Sequence, residues 1–355
     1  MKIKITKSSE FFRAFFGAKG TAIALVGAAL LAWPVAAFSE IPRGVYSVAN
    51  VSSDPVSRTL TNPDVDGISL RQEWSTLEPT EGNFDFTYLD GAVALCAQYG
   101  KNVLIRIGTQ QSKPAWVTTA VKNARGKFFT FLDDGVKTKI PVFWDPTFVA
   151  KKKNMINALG AHFTNHPSVK IIAVSFANAT SEDWNVPHTP SDITAWLRVG
   201  YSTALMTATG ATMITTTMNA FPNQFVTLAV GGDGTLDLPF AEDYVARTAI
   251  TSARLLYGER MIAQRNNLSA DIVDAPGTGT LYEMIWDFRP EVAGQMVGLC
   301  LNSTVCGVGL SSHDALMASI NKALGYEEKY VEIYQSDVNY FPDVITYAHN
   351  ALNDQ

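Results

Sequence analysis

The chain is poor in the groups that hold metals and in the charges that grip nucleic acid. Among 355 residues there are five histidines and three cysteines. No His-Glu-x-x-His occurs, and His162 and His166, four residues apart, have no third ligand near them in sequence. No metal or other cofactor is expected. A Gly-x-Ser-x-Gly nucleophile elbow and a Gly-Lys-Ser/Thr phosphate loop are also missing, and Gly231-Gly-Asp-Gly234 lacks the dinucleotide fingerprint. Charged residues make up 17% of the chain, the net charge is −5, and no basic stripe runs along it. Nucleic acid is therefore excluded as a partner. Lys151-Lys152-Lys153, the densest basic run, is expected on the solvated face near the start of a helix.

What the sequence does have is apolar residues, at 47%, enough for a large core. The first apolar stretch runs from Thr21 to Phe38, behind Lys2, Lys4, Lys7, Arg13 and Lys19 and ahead of the small residues Ala36 and Ala37. This layout is that of a secretory signal peptide over residues 1–38, with cleavage after Ala37 or Ser39. The alternative is a retained membrane anchor, the one case in which a membrane would be a partner. Either way the rest of the chain is expected outside the cytoplasm, secreted or periplasmic. Cysteine usage agrees: Cys300 and Cys306 are spaced to close a small disulfide loop, while Cys96 reads as a buried thiol on an apolar helix face.

From Gly44 onward apolar strand patterns alternate with helical ones. Gly44–Ala49, Ile68–Arg71, Val103–Ile107, Val169–Phe176, Phe225–Val230, Met261–Asn266, Val292–Cys300 and Tyr330–Tyr334 read as eight buried strands, each followed by polar residues and then a helical period. Asp145 is placed to cap a helix that opens at Pro146 and runs to about His166. Phe128 to Trp144 reads as an irregular insertion over one end. No composition shift divides residues 39–355, so a single (β/α)₈ TIM barrel is predicted there.

One segment carries a more specific signal. Gly67-Ile-Ser-Leu-Arg-Gln-Glu-Trp-Ser-Thr-Leu-Glu-Pro-Thr-Glu-Gly-Asn-Phe-Asp-Phe, followed by Leu89-Asp90, Asn102-Val-Leu-Ile-Arg-Ile and Pro114-Ala-Trp116, resembles strand two, helix two and strand three of the glycoside hydrolase barrels. It is most similar to the beta-galactosidase-like family 42. The resemblance implies an O-glycosyl hydrolase of oligo- or polysaccharides working through two carboxyl groups, one protonating the leaving oxygen and one attacking the anomeric carbon or activating water.

In such a barrel the chemistry sits at the C-terminal strand ends, where polar residues two apart share a face. Arg71 with Glu73, Gln264 with Asn266, Gln295, and Glu332 with Tyr334 meet that test. The resemblance places an acid/base after strand four, where Glu182 stands; Asn178 lies four residues upstream, whereas the wider clan puts Asn directly before its acid. Glu182 could also be an ordinary loop carboxylate. The clan's nucleophile belongs on strand seven, but this chain has Gln295 there. Glu332 on strand eight is the replacement, unless it forms a structural ion pair with Arg71 or Arg106. Trp116 and Trp184, from a loop set that also holds Trp74 and Trp144, are the candidates for stacking on sugar rings. A non-catalytic glycan-binding barrel that has lost its nucleophile is the competing expectation.

Overall fold

The computed structural model describes residues 40–109, 113–133, 136–175, 190–230, 242–301 and 304–355. Its strands are β1 (Gly44–Val48), β2 (Gly67–Glu73), β3 (Asn102–Gly108), β4 (Phe128–Asp133), β5 (Val136–Pro141), β6 (Val169–Ala173), β7 (Phe225–Val230), β8 (Met261–Leu268), β9 (Val292–Met296) and β10 (Tyr330–Tyr334). Eight of these, all but β4 and β5, pair in parallel and close into a barrel, with β10 returning to β1. Helices follow the strands, including Thr87–Gln98 after β2, Pro146–Phe163 before β6, Thr203–Ala220 before β7 and Pro342–Asn353 after β10. This is the predicted (β/α)₈ barrel.

Strand pleating decides what faces the barrel interior. The Tyr46 and Tyr330 rings meet at 5.0 Å, and a side chain at Gly67 would collide with Tyr46, so β1, β2 and β10 point these positions inward. Leu104, Ile171, Phe225, Ile262 and Ala293 join them in an apolar floor. Counting by two from that floor puts Arg71, Glu73, Arg106, Gln264, Asn266, Gln295, Glu332 and Tyr334 on the inward face nearer the C-terminal ends. Alternate residues point outward and pack under the helices in the larger core.

One outward pair is charged. Arg265 on β8 and Glu328 just before β10 are both wholly buried, with Nε and Oε1 2.6 Å apart, and the guanidinium lies over the Tyr326 ring at 4.3 Å. Burial pushes the Glu328 carboxyl up, against the pull of Arg265. The pair fits because β9 carries glycine at 294: a Cβ there would stand 2.1 Å from Glu328 Oε2.

Several expectations need correction. Phe128 to Trp144 is not irregular: β4 and β5 form an antiparallel hairpin with Phe128 opposite Pro141 and Asp133 opposite Val136. The helix capped by Asp145, whose carboxylate accepts from the N–H groups of Thr147 and Phe148, ends at Phe163, short of His166. β6 and β9 stop at Ala173 and Met296, earlier than predicted. Lys152 is 1% exposed, not solvated, and its ammonium lies 4.5 Å from the Phe148 ring centre. The reason is periodicity: Phe148, Lys152, Met155, Ile156, Leu159 and Phe163 share the buried face of that helix.

Cys300 and Cys306 are bonded, with Cα atoms 5.4 Å apart, and Cys96 is free and buried. Among the described residues no helix is long and apolar enough to cross a membrane. The signal-peptide or anchor segment, residues 1–38, lies outside the described residues.

Candidate active site at the barrel mouth

Inward polar residues of β3, β8 and β9 gather around Glu332 on β10. Its carboxylate is 0% exposed and forms an ion pair with Arg106, itself 1% exposed, reaching across the interior from β3. Gln264 donates to the same oxygen, Oε2, and also to Asn266 Oδ1 at 2.9 Å. Its amide oxygen accepts from the Tyr330 hydroxyl at 2.8 Å and from Thr227 at 3.2 Å. Every polar atom of the Gln264 amide is therefore used, which fixes its orientation. Burial, and then the charge of Glu332, pushes the Tyr330 phenol far up, so it serves as a neutral donor.

Glu332 Oε1, an acceptor, and Asn266 Nδ2, a donor, are buried in this cluster with no partner among the described residues. Leaving such groups unmatched costs about 1–3 kcal/mol each, more for a charged group. A ligand hydroxyl can answer either of them, because it both donates and accepts. Gln295 stands beside Glu332 in register and is likewise buried. Gln295, the one candidate with no polar residue two positions away on its own strand, is thus a neighbour of the carboxylate across the sheet.

Nearer solvent, Arg71 and Glu73 are half-buried at the end of β2. Arg71 Nε donates to the Ala49 carbonyl at 3.3 Å, and Ser75 approaches a Glu73 oxygen at 3.4 Å. Arg71 lies in register with Arg106. Tyr334 ends β10, half-buried. Arg71, Glu73, Gln264, Asn266, Gln295, Glu332 and Tyr334 thus share one end of one interior. Asn178, Glu182 and Trp184 lie outside the described residues.

The aromatic expectations fare differently. Trp116 is in the helix Ala115–Asn123 rather than in a loop; it is half-buried, and its indole N–H donates to the Glu78 carbonyl at 3.0 Å. Trp74 is wholly buried and edge-on to Trp116 at 6.0 Å, out of reach of a sugar. Glu78 organises this wall. One of its oxygens accepts from Trp74 Nε1 at 2.7 Å and the other from the Gly82 N–H at 2.8 Å. Trp144 packs with Trp196 and Tyr201 in an aromatic cluster, ring centres 5.7 and 5.8 Å away.

Sequence reasoning passed over Thr227 and Tyr330, which orient Gln264. Their signal was the two-residue step along β7 and β10. It also passed over Lys113 beyond β3, whose ammonium is pushed down to about 8 by burial. Lys152 is pushed well down too, by burial first and then by Lys113. Among the described residues no cluster of three or more His, Cys, Asp or Glu could hold a metal ion.

Residues 57–221 match the beta-galactosidase family model of glycoside hydrolase group 42. The glycoside hydrolase 42 match spans β2 through the helix before β7, under half of the chain, and includes Arg71, Glu73 and Glu182 but not Gln264, Gln295 or Glu332. Similar folds include a beta-galactosidase from the psychrophilic Marinomonas ef1, at TM-score 0.55 and 10% identity over 88% of this chain and 59% of that one. A polyextremophilic beta-galactosidase from the Antarctic haloarchaeon Halorubrum lacusprofundi is similar at TM-score 0.55 and 13% identity, over 88% and 58%. Xylanase 10B from Thermotoga maritima is similar at TM-score 0.53 and 11% identity, over 88% and 96%. The chain thus spans less than three fifths of either beta-galactosidase. No curated protein sequence matches it.

Proposed function

We propose that this chain is a glycoside hydrolase that cleaves O-glycosidic bonds of a beta-galactoside-like oligo- or polysaccharide at the C-terminal mouth of the barrel. The observation that carries the reading is the convergence of seven inward polar residues on one end of a closed barrel whose first half matches the glycoside hydrolase 42 model. Glu182 is the general acid in this proposal, protonating the leaving oxygen. Glu332 is the second carboxylate, attacking the anomeric carbon or activating water. Glu332 is ion-paired with Arg106, the structural alternative named for it from the sequence; what supports the catalytic role is its other oxygen, Oε1, which has no partner among the described residues. Arg71, Glu73, Asn178, Gln264, Asn266, Gln295 and Tyr334 supply hydrogen bonds, and Trp116 and Trp184 ring faces. The Cys300–Cys306 bond and the N-terminal layout support a working place outside the cytoplasm.

The test is turnover of a panel of nitrophenyl glycosides and polysaccharides by the parent and by Glu182→Gln, Glu332→Gln and Glu73→Gln. Loss of acid catalysis should cost about 10²- to 10⁴-fold on poor leaving groups and far less on activated aryl groups. Glu332→Gln should remove both activities. If Glu332→Gln retains turnover and Glu73→Gln loses it, the half-buried mouth carboxylate takes the role. A second reading, a glycan-binding barrel without turnover, is favoured by the amide at Gln295 and the full burial of Glu332. Binding to the same panel with no hydrolysis by the parent would establish it.

A further inference from the structure

On the other side of β2 from the mouth, a cleft of about 560 Å³ is lined by Ser52, Asp54, Gln72, Thr76, Asp85, Thr87, Tyr88 and Gly91. It lies between the loop after β1, the outward face of β2 and the first turns of the helix Thr87–Gln98. Gln72 follows Arg71 and precedes Glu73, so pleating turns it away from the barrel interior and into this wall. Its side chain is 97% buried by a relative exposure of 3%, and its amide oxygen has no hydrogen-bond partner among the described residues. A buried, unmatched amide oxygen on a residue lining a polar cleft is a group that a ligand would satisfy.

The other walls specify what kind of ligand. Asp54 and Asp85 are exposed carboxylates, and Asp85 is held low by its hydrogen bonds with Thr87, so it stays charged. They repel phosphates, sulfates and uronates. The Thr76 hydroxyl gives its proton to the Glu73 carbonyl at 2.8 Å and the Thr87 hydroxyl to Asp85, so both present acceptor oxygens, and Ser52 adds a further hydroxyl. Tyr88 is half-buried, its hydroxyl donating to the Ser53 carbonyl at 3.0 Å, and burial pushes its phenol up to about 12; the ring is a neutral, fixed face. Acceptors for several hydroxyl donors beside one aromatic face match a neutral pyranose, whose rim is hydroxyl and whose faces are C–H.

We infer that this cleft is a second saccharide site, binding one or two neutral sugar units outside the barrel mouth. Gly91 leaves its floor open, because a Cβ at that position would meet nothing within 4 Å. That gives a clean perturbation: Gly91→Met grows into the cleft from an exposed helix position where replacing glycine favours the helix.

The experiment is a titration of the full chain with galactose, lactose, cello-oligosaccharides and xylo-oligosaccharides, followed by NMR at the Gly91 and Tyr88 amides and by calorimetry. The parent should show saturable shifts at Gly91 and Tyr88 with at least one neutral sugar. Gly91→Met should weaken that binding at least tenfold, and Gln72→Met about threefold, while turnover of a small aryl glycoside stays within twofold of the parent. Saturation by monosaccharides alone means the site takes free sugar; saturation only by oligosaccharides means it takes part of a polymer. Saccharide binding that leaves Gly91 and Tyr88 unshifted, or that survives Gly91→Met unchanged, overturns the inference, as does a complete absence of binding across the panel. Shifts at the cleft in a parent without turnover would keep this inference and sink the hydrolase proposal; turnover without such shifts would do the reverse.

Discussion

Removing the carboxylate from the buried Arg265–Glu328 pair should destabilise the fold severely, whereas removing both charges should not. Both side chains are wholly buried and 2.6 Å apart, yet among the described residues no guanidinium nitrogen makes a well-aligned hydrogen bond, and the Tyr326 ring lies over the group. Glu328→Met strands the guanidinium in an apolar wall, a change that costs about 3–5 kcal/mol. Unfolding entropy of about 2.1 cal/mol/K per residue, over a unit running from Phe38 to Gln355, converts this to a fall in Tm of roughly 4–8 °C. Arg265→Met with Glu328→Met replaces the pair by apolar groups of similar volume, and should recover most of that loss. Gly294→Ala sharpens the test: its Cβ would stand 2.1 Å from Glu328 Oε2, so it should destabilise the parent by about 1–3 kcal/mol but cost little beside Glu328→Ala. The assay is calorimetric unfolding of the parent, the single variants and the doubles. If Glu328→Met leaves Tm within a degree of the parent, or if Gly294→Ala and Glu328→Ala are additive, the account of this pair is wrong.

His313 links the helices Ser312–Gly325 and Pro342–Asn353 through Asp343 at 2.7 Å and is raised by hydrogen bonds to Asp343 and then Asp314. A raised histidine contributes stability that is present below its unfolded value of about 6.5 and is lost as pH rises through the folded value. His313→Asn should therefore lower Tm at pH 5.5 more than at pH 8.5; parallel Tm–pH curves would refute this. Replacing both Cys300 and Cys306 by serine opens a short loop and should cost about 2 kcal/mol by chain entropy, read as a lower denaturation midpoint; no change would show that the loop is already held by Asp337, which accepts from the Cys300 and Leu301 N–H groups at 2.8 and 2.7 Å. Arg106→Met should strand Glu332 and cost about 3–5 kcal/mol, whereas Arg106→Met with Glu332→Met should be much milder in the same unfolding assay.

The barrel was legible because parallel strands covered on both faces must be apolar almost throughout, and each such run here ends in polar residues. Asp145-Pro146 announced its helix for the same local reason: the cap and the fixed proline angle belong to adjacent positions. The β4–β5 hairpin was legible too but went unread, since Asp134-Gly135 between two alternating runs is the sequence of a tight turn. Lys152 was misjudged by treating three lysines as one block, although only the second falls on the apolar stripe. The contact between Arg106 and Glu332 could not be read in the same way. It depends on barrel closure, which brings β10 beside β1 and aims β3 across the interior, and sequence spacing offered Arg71 as an equal partner. Gln264 shows a similar limit: its place on an inward face followed from pleating, but the four partners that fix its amide come from three strands.

Glu78 bears on how this fold can change over time. A single buried acid, taking up the Trp74 indole with one oxygen and the Gly82 amide with the other while its own carbonyl receives Trp116, makes the segment after β2 self-supporting. The three hydrogen bonds run only between residues 74 and 116, with no partner from further along the chain among the described residues. Substitutions elsewhere in the barrel can therefore accumulate without loosening the β2 side, so selection can act on one jaw of the mouth while the other stays an anvil.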